Sequence, residues 1–209
     1  GAATQLRPEE LRRDVIENSR VFHVGSLSLT DEPARSATIA ALDVAKAAGA
    51  VMSYDPNYRD SLWTSAEVAS EQMRSIVTYM DLIKISCEET ELLTGRSDPT
   101  EAARILLGQG AQVVCVTLDD EGALVATKDG SATVPSFKVD AVDTTGAGDS
   151  FWGGFLCAFV DADIRPENVT LDDARSFARF GNAVASLCVR RRGAIPAMPT
   201  LDEVEKVLS

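Results

Sequence analysis

Val142-Asp-Thr-Thr-Gly-Ala-Gly-Asp149-Ser-Phe-Trp-Gly-Gly-Phe155 sets a run of small residues directly before an apolar, helix-forming stretch. Gly146, Ala147 and Gly148 leave backbone amides clear of side chains, and the helix start that follows adds unpaired N–H groups and a partial positive charge. Such a loop suits an anion. Asp149 falls in the first helical turn, where the dipole favours a carboxylate, and from a cleft wall it can take a proton from a substrate hydroxyl. An anion site beside a base is the equipment of phosphoryl transfer, in which positioning and charge stabilisation dominate catalysis. The glycines alone also fit a plain turn, with Asp149 as an ordinary helix-start residue.

Upstream of this loop the chain alternates between two patterns. Val21 to Val24, Val51 to Tyr54, Leu82 to Ile85 and Val113 to Thr117 are continuously apolar, as in strands covered on both faces of a parallel sheet. Helix-like segments lie between them: Pro33 to Ala48, Ala66 to Tyr79, a short Glu88 to Leu93 ending at Gly95, and Pro99 to Leu107. Thr64 with Glu67, Asp98 with Glu101 and Thr200 with Glu203 each place an oxygen-bearing cap three residues before a glutamate, and Pro99 follows Asp98 at the first helical position. From Gly122 to Val139 the rhythm shortens to Ala123 to Thr127, Ala132 to Val134 and Phe137 to Val139, which predicts antiparallel strands at a sheet edge. Helices are expected again over Ala147 to Val160, Leu171 to Val189 and Leu201 to Leu208. The fold class that follows is α/β, a Rossmann-like mostly parallel sheet with helices on both faces, and residues 1–209 read as one domain.

A chain of 209 residues with 45% hydrophobic content can bury a substantial core. Its 20 basic against 32 acidic residues, a net charge of −12, argue against a nucleic-acid partner. Arg190-Arg191-Arg192 is the local exception, a cluster that either meets phosphates or offsets acidic neighbours. No run of about 18 apolar residues is present and the N-terminus lacks a secretory pattern, so no membrane span and a cytoplasmic location are expected. Cys87, Cys115, Cys157 and Cys188 are scattered without the close spacing of a zinc or dithiol site and read as reduced structural residues. His23, the single histidine, lies in the apolar run Val21 to Gly25 and reads as a packed core histidine.

Asp143-Thr-Thr-Gly-Ala-Gly-Asp-Ser-Phe151 resembles, almost residue for residue, the C-terminal signature of the ribokinase-like (PfkB) carbohydrate kinases. The resemblance extends along the chain and is strongest to the fructokinases. Phe22-His-Val-Gly-Ser26 and Ser53-Tyr-Asp-Pro-Asn-Tyr-Arg59 with Leu62-Trp63 are similar to their sugar-proximal segments. It implies that Asp55, Asn57 and Arg59 line the active-site cleft, Arg59 offering its planar fork of donors to phosphate charge; a strand-end turn capped by Asp55 is the plainer reading. Lys84-Ile-Ser-Cys-Glu-Glu89 resembles the family's Lys-x-Asn-x-x-Glu motif with Ser86 in place of asparagine, which implies Lys84 and Ser86 near the nucleotide and Glu89 organising Mg²⁺ through water. Here the alternative is a solvated acidic helix start. Val116 to Ala123 is similar to the ATP-binding segment and assigns Thr117 and Gly122 to the nucleotide, although Asp119 stands where that segment carries glycine. Gly181-Asn-Ala-Val-Ala185 and Arg192-Gly193-Ala194 resemble the helix and loop that flank the adenine and ribose, which implies Asn182 as a nucleotide contact. Asp143, Thr145, Cys188 and Gly193 match the positions around a monovalent cation, potassium, with Ala197 where related kinases can carry serine.

What the resemblance implies is an ATP- and Mg²⁺-dependent sugar kinase, with Asp149 as base and Gly146, Ala147 and Gly148 as the anion hole. Fructose is the expected sugar, 2-keto-3-deoxygluconate the nearest rival substrate, and a non-catalytic nucleotide-binding module the reading from another class. It also implies that residues 1–209 are about the C-terminal two-thirds of a full kinase. The N-terminal strands, a sugar-contacting aspartate, and the lid through which such kinases dimerise would all be missing, leaving weak or no activity in these residues alone.

Overall fold

The computed structural model describes residues 2–209 as two compact units, one running to Val114 and one spanning Cys115–Ser209. The first unit opens with a short helix α1 (Arg13–Glu17), followed by β1 (Val21–Val24), α2 (Ala34–Ala48), β2 (Val51–Tyr54), α3 (Ala66–Ser75), β3 (Leu82–Ser86), α4 (Thr90–Thr94) and α5 (Pro99–Gly108). β4 (Val113–Thr117) carries the chain into the second unit, which holds β5 (Gly122–Thr127), β6 (Gly130–Pro135), α6 (Ala147–Ala162), α7 (Leu171–Cys188) and α8 (Leu201–Leu208). The strand–helix alternation and the mixed α/β class expected from the sequence are both present.

β1 and β2 pair in parallel with Val21 opposite Val51 and Val24 opposite Tyr54, and β2 pairs in parallel with β3, Ser53 opposite Leu82. Met52, Tyr54, Leu82, Ile83 and Ile85 are almost wholly buried, which accounts for the unbroken apolar runs of these strands. In the second unit β5 and β6 form an antiparallel hairpin closed at Thr127 and Gly130. Asp98 and Thr200 cap α5 and α8 as their spacing predicts.

Several expectations are corrected. Ser65, not Thr64, caps α3, its side chain accepting the amide of Val68. That helix stops at Ser75, and Val77–Tyr79 continues as a 3-10 turn. Phe137 to Val139 form no strand, because the hairpin ends at Pro135 and the chain leaves it in irregular structure. His23 is exposed on β1 rather than packed in the core, with Nδ1 3.0 Å from Ser53 Oγ. None of the four cysteines is in a disulfide; Cys115 and Cys188 are buried, whereas Cys87 and Cys157 are exposed and pack no core. No helix among the described residues is long and apolar enough to cross a membrane.

Within the second unit the core is aromatic. Trp152 stacks on Phe155 with ring centroids 4.8 Å apart, and Phe155 meets Phe177 edge-on at 5.6 Å, so α6 and α7 share one buried cluster. Gly154 and Gly181 permit the crossing: a Cβ on Gly181 would lie 2.6 Å from the carbonyl oxygen of Phe151.

Candidate functional site

The loop ahead of α6 is fixed from several directions. The amides of Val142 and Asp143 both donate to the carbonyl of Val189, at 2.7 and 3.1 Å. Asp143 then accepts the amide of Thr145 on Oδ1 at 3.0 Å and that of Gly193 on Oδ2 at 2.9 Å. These bonds hold its carboxyl down to about 2, the Gly193 amide contributing most. Gly146 adopts φ 79°, and a Cβ there would meet Ala194 Cβ at 2.7 Å, so both backbone shape and close approach demand glycine. Cys188 Sγ lies 3.9 Å from the Ala194 carbonyl. Asp143, Thr145, Cys188 at the end of α7 and Gly193 are thereby brought into one neighbourhood.

This scaffold leaves donors free. The first helical hydrogen bond of α6 runs from Ser150 to Gly146, and the amides of Gly146, Gly148 and Asp149 have no acceptor among the described residues. The Asp149 carboxylate, exposed in the same turn, likewise has no partner there. Free N–H groups at the positive end of a 16-residue helix, next to an unpaired carboxylate, can hold an anion and accept a proton.

Beside the loop, still in the second unit, lies a cavity of about 510 Å³ lined by Asp119, Phe137, Lys138, Val139, Thr144, Ala147 and Val189 among others. The sequence reading missed Phe137, Lys138 and Val139, having assigned them to a strand. Gly122, assigned to the nucleotide, has φ 112° and packs so tightly on the hairpin that a Cβ would lie 2.2 Å from the Val134 carbonyl oxygen. Thr117 ends β4 half-buried. Asn182 is 4% exposed, with its amide nitrogen donating to the carbonyls of Val134 and Pro135 at 3.0 and 3.1 Å. Within the Arg190–Arg192 cluster, Arg191 pairs with Glu203 and so offsets an acidic neighbour.

In the first unit, Asp55, Asn57, Lys84, Ser86 and Glu89 form one polar knot. Asp55 Oδ2 accepts from Lys84 Nζ at 3.0 Å, both side chains being buried, and Asp55 Oδ1 accepts the amide of Asn57 at 3.2 Å. That second bond makes the turn in which Asn57 takes a left-handed φ of 49°. Glu89, 5% exposed, accepts the amide of Tyr58 on Oε1 at 2.7 Å and that of Ser86 on Oε2 at 2.8 Å. The helix-start glutamate is therefore a clamp between the segments that follow β2 and β3, not a solvated charge. Arg59 is exposed, with Nη1 donating to the carbonyl of Tyr58, while Trp63 Nε1 is buried without a partner. Among the described residues no three His, Cys, Asp or Glu side chains gather into a metal site.

Known proteins similar to this chain are kinases of sugars. "Probable fructokinase-4" of Arabidopsis thaliana is 46% identical over 208 residues, 97% of this chain. Fructokinase-2 of Solanum lycopersicum is 44% identical over 206 residues, again 97% of it. Each match covers 62% of the relative, so the chain spans about three-fifths of their length. Among solved structures, a fructokinase from Vibrio cholerae O395 in its fructose, ADP and calcium ion bound form superposes with a TM-score of 0.88 at 29% identity, over 99% of this chain and 65% of that one. A Xylella fastidiosa fructokinase with bound ATP gives 0.86 at 31% identity, over 97% and 65%. The family description "pfkB family carbohydrate kinase" matches residues 1–201, and with the signature loop standing free ahead of α6 the chain belongs to that family.

Proposed function

We propose that this chain forms the larger part of an ATP-dependent fructokinase, which transfers the γ-phosphate of ATP to a fructose hydroxyl and gives fructose 6-phosphate. The observation that carries the reading is the set of free amides at Gly146, Gly148 and Asp149 beside the unpartnered Asp149 carboxylate. In the proposed step Asp149 takes the proton of the sugar hydroxyl as its oxygen attacks the γ-phosphorus, and the bond between that phosphorus and the β–γ bridging oxygen breaks. ADP leaves with the bridging oxygen. The free amides receive charge on the phosphoryl oxygens as it develops.

Mg²⁺ enters as part of the nucleotide substrate and neutralises phosphate charge there. Glu89 is assigned a water-mediated role, its oxygens each accepting one backbone amide and keeping a lone pair for an ordered water. Each oxygen of Asp143 accepts one amide and keeps a lone pair, so a potassium ion near Asp143, Thr145, Cys188 and Gly193 would rest partly on main-chain carbonyls, with the carboxylate still open to it. A cytoplasmic setting and dimerisation through a lid belong to the same reading.

Fructose is favoured because the relatives compared above are fructokinases and one solved neighbour is described with fructose and ADP bound. The test is ATP consumption by the full-length protein with fructose, ribose, 2-keto-3-deoxygluconate and a nucleoside in turn, with Mg²⁺ present and K⁺ or Na⁺ as alternatives. A clear preference for fructose is expected. Turnover on another of these acceptors would overturn the sugar assignment, and turnover on none would leave a binding module as the better account.

A further inference from the structure

The cavity of the second unit contains chemistry that a phosphate site does not need. Its walls carry Phe137, Val139, Ala141, Ala185 and Val189, which suit a flat apolar ring, and Thr144 with Ala147 from the anion loop. Asp119 and Asp120 also line it. Both are exposed, and neither has an ion pair or side-chain hydrogen bond among the described residues.

Asp119 adopts φ 51° in the turn closed by the Leu118 amide on the Gly122 carbonyl at 2.8 Å. A left-handed residue in a tight turn is most cheaply glycine, and aspartate is tolerated rather than required. Backbone shape accepts a carboxylate at this position without requiring one, and the carboxylate lines the cavity. A carboxylate repels phosphate and gains nothing from an apolar ring. What it does match is a pair of adjacent hydroxyl donors, one for each oxygen, the chemistry by which acidic residues hold the ribose diol in dinucleotide folds.

We propose that Asp119 reads the ribose diol of a nucleotide in this cavity and makes the protein select ribonucleotides over 2′-deoxyribonucleotides. The inference rests on the kinase reading proposed above, with this cavity, which shares Thr144 and Ala147 with the anion loop, as the place of its nucleotide.

The experiment is calorimetric titration of the full-length protein with ADP and with 2′-deoxy-ADP, repeated for Asp119→Gly and Asp120→Ala. Glycine is at ease at φ 51°, so the first variant keeps the fold, and its melting temperature checks this. The unaltered protein is expected to bind ADP about tenfold more tightly than 2′-deoxy-ADP, the scale of one hydrogen bond to a charged group. Asp119→Gly should weaken ADP by about the same factor and leave 2′-deoxy-ADP nearly unchanged, while Asp120→Ala keeps the discrimination. Equal affinity of the unaltered protein for the two nucleotides would overturn the proposal. So would tighter binding of both by Asp119→Gly, which would mark the carboxylate as merely repulsive, or loss of discrimination in Asp120→Ala alone. Binding of neither nucleotide by the unaltered protein would instead remove the nucleotide reading of the cavity, and the proposal with it.

Discussion

Asp143 Oδ2 accepts the amide of Gly193 at 2.9 Å across 50 residues of sequence, tying the loop before α6 to the loop after α7. With the Thr145 bonds it keeps the Asp143 carboxyl at about 2, well under the value of about 3.9 expected in an unfolded chain. A carboxylate depressed on folding stabilises the native state above its unfolded value and ceases to do so as pH falls through its folded one. The urea midpoint should therefore drop between about pH 4 and pH 2. Glu203, also held at about 2, chiefly by Arg191, titrates in the same window. Asp143→Asn should flatten part of that drop, and an unchanged acid limb in the variant would show that the bond adds nothing to stability.

Gly146→Ala meets two obstacles at once. Its φ of 79° is left-handed, which costs an alanine about 1–2 kcal/mol, and the new methyl would press on Ala194 Cβ at 2.7 Å. Loss of more than about 1 kcal/mol in chemical denaturation is expected. Adding Ala194→Gly should recover the steric part but not the conformational part. Full recovery would mean that the left-handed geometry is not held in solution.

The signature loop was legible because glycine, aspartate and a following apolar run are local signals, and β2 to β4 because unbroken apolar runs mark covered strands; β1 follows the same pattern although only its Val24 is buried. Less could be read where long-range geometry decides. Phe137 to Val139 look like a third hairpin strand in sequence, yet Pro135 ends the pairing and releases them to line a cavity. For Glu89 the solvated alternative fails on a long-range bond: its contact with the Ser86 amide follows the local Ser-x-x-Glu capping spacing, whereas the Tyr58 amide reaches it from 31 residues away. Lys84 did leave a trace: a lysine within Leu-Ile-Lys-Ile-Ser must be buried with its strand, and a buried ammonium needs an anion.

That anion is Asp55, and the pair gives a sharp stability test. The Lys84 and Asp55 side chains are 7% and 5% exposed. Lys84→Met strands the Asp55 charge and should cost about 3–5 kcal/mol in urea denaturation. Combining it with Asp55→Asn should cost less than the sum of the single changes by about 0.5–3 kcal/mol. Strict additivity would mean that the pair is not coupled.

The two glycines of the α6–α7 crossing differ from their neighbour Gly153. A Cβ at Gly153 meets nothing within 4 Å, so Gly153→Ala should stabilise α6 by about 0.5–1 kcal/mol. At Gly181 the same methyl would press on the Phe151 backbone at 2.6 Å, and about 1–3 kcal/mol should be lost. Thermal melts of the two single variants should move in opposite directions. Parallel shifts would mean that the helices can separate without cost.

Asp149→Asn separates base from scaffold. Asparagine has nearly the shape of aspartate and remains acceptable in a first helical turn, so the free amides of Gly146 and Gly148 keep their places. What it lacks is a carboxylate able to take a proton. In the full-length protein kcat should fall about 10²- to 10⁴-fold, the range of general-base contributions, while ATP affinity changes little because the amides still receive the phosphate. If instead ATP binding collapsed and kcat at saturation survived, Asp149 would be a residue that shapes the anion loop, and the proton would have to leave by another route.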